Sequence, residues 1–294
     1  MRHALVHKKN TRTISPELTS GIKDALIRVD NLSLDEPNEA LTDFWVQCVR
    51  DTSGEWQNYT SLKSKSGFNY FFGRQSTINL TDARAVRYIE ANIRIRRRLY
   101  HEIPGVLEMG MGDFESWLRD LHSDMTYKAT YEGNFPRNVP THTVIVNAEV
   151  KPIAEQYGDP YFTGEANGPK FKGIPPYMLP RDEKEGGLIS HYYPLLEYKT
   201  FYLKAAHNVF CDIVTHPIVG CDDYFKKVAY LFQILINLHL FVNVNNSLYM
   251  NIVNAFLEIA GTNGIEHGIL DFVGMRLQPD RFSEYFLDQI NHRS

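Results

Sequence analysis

The sequence predicts a mainly α-helical fold with one small β-hairpin and an N-terminal helical extension. Two apolar segments of helical length, AYLFQILINL from Ala229 and SLYMNIVNAFLEIA from Ser247, flank a short polar loop. Several amphipathic stretches with recognisable caps precede them, and only one segment of the chain alternates at the period of a strand.

Ser15-Pro16 opens the first helix, since serine caps and proline suits the first helical position, and the amphipathic pattern runs to about Asn31. A second helix is expected over Glu39 to Arg50. Thr81 caps a long third one to about Glu102, with Val86, Ile89, Ile93 and Tyr100 as its apolar face. Gly112-Asp113 opens another through Met125, and the YEGNFPRNV stretch after it cannot continue a helix. Thr141 to Val150 places Val144, Val146, Ala148 and Val150 on one side, which is a strand pattern. Six glycines and five prolines between Tyr157 and Leu188 predict a long irregular loop at 157-188, read as a lid. Pro194 starts a helix to about Val214, closed by His216-Pro217 and Gly220.

Two units are expected, an extension over 1-110 packed on a core over 111-294. A chain of 294 residues with 43% hydrophobic content can bury such a core. The net charge of −4 gives no broad attraction to nucleic acid or to an anionic membrane, so neither is an expected partner. Cys48, Cys211 and Cys221 match neither a disulfide framework nor a zinc module, which favours a reducing compartment. The N-terminus lacks the apolar core of a secretory signal. A cytoplasmic protein, or an effector exported without such a signal, is the expectation. Val228 to Leu257 carries no charged residue, yet Gln233, Asn237, His239, Asn243, Asn245, Asn246, Ser247, Asn251 and Asn254 interrupt it. A buried helix pair fits that composition better than a membrane span.

Asp222 and Asp223 begin the first of these apolar helices, where the macrodipole favours negative charge. It ends at His239, and Val242 to Asn246 joins it to the second, which is expected to start at Ser247. First-turn amides of that second helix are unpaired donors suited to an anion, and His239 stands close enough in sequence to take a proton from an attacking hydroxyl. The alternative is structural, with His239 as a cap or core residue and the asparagines serving only their own turns.

This arrangement resembles the Fic family, of the Fido fold, whose signature H-x-F-x-[DE]-G-N-[GK]-R-x-x-R lies between two central helices. AYLFQILINLHLF, MNIVNAFLEIAG, and LHSDM followed by YEGNFPRNV are similar to the family's segments, over roughly residues 113 to 261. The resemblance implies that His239 is the catalytic base, that Phe241 packs beneath the loop and that Asn245 belongs to an anion-binding turn. Asn243, Asn246 and Ser247 complete that turn, with Asn251 behind it in support. Asn243 replaces the acidic Mg²⁺ ligand, and Ser247 and Met250 replace both arginines, so Mg²⁺ and ATP are not expected to bind tightly in the family's manner. Val244 and Asn246 replace glycines, and valine resists left-handed backbone, which predicts a different loop shape.

The function so implied is transfer of a phosphate-containing or otherwise activated group onto a hydroxyl, in the nucleotidyltransferase manner. The donor is an anionic or nucleotide-like small molecule and the acceptor a small molecule or a protein. Three alternatives accompany it. One is a catalytically silent Fido-fold protein that binds a partner through the long loop and the stripe of Arg84, Arg87, Arg94 and Arg98. Another registers the family motif on His216-Pro217-Ile218-Val219-Gly220. The third is a helical metal-dependent enzyme built on Asp212 and His216, four residues apart, with His191, Glu197 and His207 near in sequence.

Overall fold

The computed structural model describes residues 13–49, 80–126, 142–158, 169–216 and 221–292. In chain order these form α1 (Pro16–Asp30), α2 (Glu39–Cys48), α3 (Ala83–Glu102), α4 (Met111–Met125), β1 (His142–Val146) and α5 (Asn147–Gln156). After these come β2 (Arg181–Glu185), β3 (Leu188–Tyr192), α6 (Lys199–Thr215), α7 (Asp222–Leu238), α8 (Asn245–Ile259), α9 (Leu270–Arg276) and α10 (Pro279–Asn291). The N-terminal tail, the YEGNFPRNV stretch and the 217–220 turn lie outside the described residues. The fold is mainly helical, and no helix among those residues is long and apolar enough to cross a membrane.

α7 occupies the centre because it has almost no polar face. Every residue from Leu231 to Leu238 is buried, and α6, α8, α9 and α10 surround the helix. Its two buried amides donate to the end of α9. Gln233 donates to the carbonyls of Gly274 (2.9 Å) and Leu277 (2.7 Å), and Asn237 donates to that of Gly274 (3.2 Å). Gly274 is needed for this approach, since a Cβ there would stand 2.7 Å from the Ile236 side chain.

The N-terminal helices pack on α8. α1 and α3 share the main apolar core, while α2 builds a smaller cluster from Leu41, Phe44, Trp45 and Cys48 with Ile89 of α3. Between α3 and α8 runs a polar seam. The Ser247 and Tyr88 hydroxyls lie 2.9 Å apart, Asn251 donates to Asn92 (2.6 Å), Arg96 meets Glu258 (2.7 Å), and Tyr100 also bonds Glu258. The partners recur four residues apart on α3 and four then seven apart on α8, so one face of each supplies the whole seam.

The β structure corrects three expectations. Instead of a single hairpin there is a three-stranded antiparallel sheet of order β1-β3-β2, with Ile145 opposite Ile189 and Asp182 opposite His191. The strand predicted over Thr141 to Val150 ends at Val146, because Val146 and Val150 also stand one helical turn apart and the chain turns into α5. The irregular loop predicted over 157-188 contains β2, whose RDEKE sequence lacks any apolar alternation. A charged strand at a sheet edge discourages pairing with another chain, which accounts for that composition. Gly186, at φ +60, makes the turn into β3. The helix expected from Pro194 begins only at Lys199, after a 3-10 turn at Leu196–Tyr198.

Candidate functional site

α7 and α8 meet at the predicted polar loop, and its backbone is unusual. Among the described residues the non-glycine positions with positive φ are His239 (φ 46) and Val244 (φ 62), one at each end of this loop. His239 is the C-cap of α7 and Val244 the N-cap of α8. A β-branched residue in the left-handed region is strained, at a cost of about 1–3 kcal/mol, so packing elsewhere must impose the shape. The loop thus adopts at Val244, against the resistance of a β-branched side chain, a conformation natural to glycine. Asn246, the other glycine replacement, is ordinary helix.

Packing from two sides imposes that shape. The Asn245 side chain lies across the turn, its Oδ1 accepting from the Phe241 amide and its Nδ2 donating to the Phe241 carbonyl, both at 2.8 Å. Tyr249 also donates to Oδ1 (3.3 Å). Phe241 is buried and lies in a near-parallel stack with His122 of α4, ring centres 4.0 Å apart and planes at 17°. His122 Nε2 reaches the Asn243 carbonyl at 2.8 Å, and an N–H must stand there because a carbonyl only accepts. On the other side, His239 stacks on Tyr193 at 3.9 Å and 10°.

The predicted site residues are therefore brought together, but several are used within the loop. Asn245 is 1% exposed with both amide atoms engaged, so any anion-binding role passes from its side chain to the backbone. α8 begins at Asn245 and not at Ser247. Leu248 is the first amide to find a helical partner, the Val244 carbonyl at 3.2 Å, and this leaves the first-turn amides of Asn245 to Ser247 as the helix's donors. Tyr88 donates to the Cys48 carbonyl (2.7 Å), so Ser247 is the donor in its contact with Tyr88. Asn246 donates to Asp271, a fully buried carboxylate. Asn251 is buried in the seam, holding Asn92, Arg96 and the Ser247 carbonyl. Val242 and the Asn243 side chain are exposed at the tip, and His239 is half-buried.

Behind Tyr193 lies a buried ionic cluster that the sequence did not disclose. Asp182 of β2 accepts from His191 Nδ1 (2.7 Å) and pairs with Arg276 of α9, and all three side chains are at most 1% exposed. Burial pushes His191 down to about 3, with the neighbouring Asn237 amide opposing the shift. Arg276 already balances the Asp182 charge, so a neutral imidazole is the form that fits. The ring of His191 meets Tyr193 edge-on at 5.4 Å, which places the cluster directly behind the ring that carries His239.

The residues proposed for a metal site are dispersed. Asp212 is exposed on α6, His216 faces Lys227 at 2.9 Å, His207 lies beside Phe114, and His191 is held by Asp182. Among the described residues no three His, Cys, Asp or Glu side chains gather to hold a metal ion. In the arginine stripe, Arg94 and Arg98 are engaged by Asp124, and Arg98 also by Glu102. Compared with protein-family models, curated proteins and solved structures, the chain matches none.

Strain at Val244 gives a direct expectation. Val244→Asn keeps the left-handed cap with a residue that tolerates it and should stabilise the protein by roughly 1 kcal/mol. The measurement is the urea midpoint at unchanged m-value. A loss of stability would mean that the Val244 side chain contributes more by packing than its backbone costs.

Proposed function

We propose that the loop from His239 to Ser247 is the active site of a divergent Fic-like transferase. It moves a phosphate-containing or otherwise activated group onto a hydroxyl. His239 acts as general base, and the first-turn amides of α8 hold the negative charge of the transferred group.

The observation that carries this reading is the pair of left-handed non-glycine residues bracketing one short loop. Backbone strain of this kind persists where a site must keep one geometry, and here it brackets a loop with a half-buried imidazole at one end and unpaired helix amides at the other. Asn243, exposed at the tip, is placed to orient the donor with a neutral amide. Without the two motif arginines, the loop itself supplies dipoles in place of full charges. That suits a donor bearing less charge than a triphosphate, or one neutralised by another part of the protein.

A silent partner-binding role is favoured by a different observation, that Asn245, Asn246 and Ser247 all spend their side chains inside the protein. One experiment separates the two readings. The full-length protein is incubated with nucleoside triphosphates and with nucleoside-diphosphate-linked groups, with and without Mg²⁺, together with cell extract as a source of acceptors. Mass spectrometry follows donor consumption and the mass gained by acceptors. Donor consumption that requires an intact His239 supports the transferase, whereas unchanged donors throughout would leave only the binding role.

A further inference from the structure

We propose that His122 is a positioning residue for this loop and holds it in its strained form while its imidazole is neutral. The proposal rests on the reading of the loop as an active site, but it concerns the loop's conformation and not the reaction.

His122 is fully buried near the end of α4 and makes two contacts with the loop. Its ring lies against Phe241, and its Nε2–H holds the Asn243 carbonyl. These contacts sit on either side of Val242, so the ring fixes the middle of a turn whose ends are both left-handed. The remaining ring atom, Nδ1, is buried and has no hydrogen-bond partner among the described residues. As a bare lone pair Nδ1 is tolerable. A proton there becomes a buried donor with no acceptor, which costs far more than a satisfied one contributes.

Among the described residues, the elements packed against α4 bring Nδ1 no acceptor. α3 brings Arg94 and Arg98, which both turn to Asp124 of α4, and Glu102, which is held by Arg98 and by the Trp117 indole. α6 brings Lys199, which pairs with Glu115, and His207, which lies against Phe114. α8 brings only Glu258, at its far end and paired with Arg96. His239 of the loop stacks on Tyr193, and Asp271 of α9 accepts from Asn246. Burial accordingly lowers the His122 pKa from its ordinary value, with the Asn243 carbonyl opposing the shift. On acidification the ring must leave its place or admit water, and either movement releases Phe241 and the Asn243 carbonyl together.

Hydrogen exchange of the free protein tests this without any substrate. The Phe241 amide, held by Asn245, and the Leu248 amide, held by Val244, report closure of the loop. From about pH 7.5 to about pH 5, their protection, corrected for intrinsic rates, should fall roughly tenfold in the wild type, as expected for one unsatisfied buried donor. The midpoint should coincide with the His122 ring titration followed by NMR. His122→Phe keeps the stack and cannot titrate, and His122→Gln keeps a donor and cannot titrate. PH-independent protection is expected in whichever of the two folds. Protection indifferent to pH in the wild type, or the same pH dependence in either variant, would overturn the proposal. A folded His239→Ala protein that keeps its turnover would end the catalytic reading and leave this result standing.

Discussion

Asp182→Ala should lower the stability of the protein by roughly 3–5 kcal/mol, because it leaves the Arg276 guanidinium buried without its carboxylate. Arg276 is 1% exposed and cannot turn to solvent, and His191 loses its acceptor in the same step. Replacing both ends of the pair, as in Asp182→Leu with Arg276→Met, should recover much of that loss by removing both buried charges. The check is a double-mutant cycle in urea. Single variants within about 1 kcal/mol of wild type would show that water reaches the cluster in solution.

The same cluster makes stability depend on acid. The folded pKa of His191 lies below its unfolded value near 6.5, so the unfolded chain takes up the proton first. This contribution is complete above the unfolded value and erodes as pH falls toward about 3. By pH 5 His191 alone should have cost roughly 2 kcal/mol. His191→Gln should flatten that slope.

His239→Ala should reduce transfer by roughly 10²-fold or more if the imidazole takes the proton from the acceptor hydroxyl, while stability changes by about 1 kcal/mol. Alanine is itself disfavoured at φ 46, so His239→Asn is the cleaner variant. It tolerates the left-handed cap while removing the base and the stack on Tyr193. Single-turnover rates and melting temperatures should be measured side by side for wild type, both variants and the control His216→Ala. A folded His239→Asn protein with wild-type turnover, or activity lost only in His216→Ala, would place the active site elsewhere. A large loss of stability matched by activity falling only through unfolding would make His239 a structural cap.

Much of the helical frame was legible because apolar runs and caps are local signals. Asp222 and Asp223 before an unbroken apolar segment fixed α7 from Asp222 to Leu238, and Ser15-Pro16 fixed the start of α1. The start of α8 was misjudged by two residues, because Asn245, Asn246 and Ser247 all resemble caps while the actual cap is a left-handed valine. The loop was found from its place between two apolar helices, but the uses of its side chains were hidden. Nothing near Asn245 in sequence shows that its amide spans the Phe241 peptide. The Asp182, His191 and Arg276 cluster was illegible because Arg276 is far from the other two in sequence, and β2 reads as a solvated loop. His122 stood within the LHSDM segment, where only its contact with Asn243 reveals its part.

The seam between α3 and α8 carries a consequence for motion. Its pairs match in one alignment only, since sliding α3 by a single turn, about 5.4 Å, would carry Arg96 away from Glu258 and leave the buried guanidinium without its carboxylate. The two helices therefore behave as meshed teeth and move as one body or not at all. Whatever a bound molecule does to the first turn of α8 passes through Ser247 to Tyr88 and from there to α2, whose last carbonyl is that of Cys48. The N-terminal helices are in this sense the handle of the loop. A partner that grips them has a rigid lever on the site, even if it never touches His239.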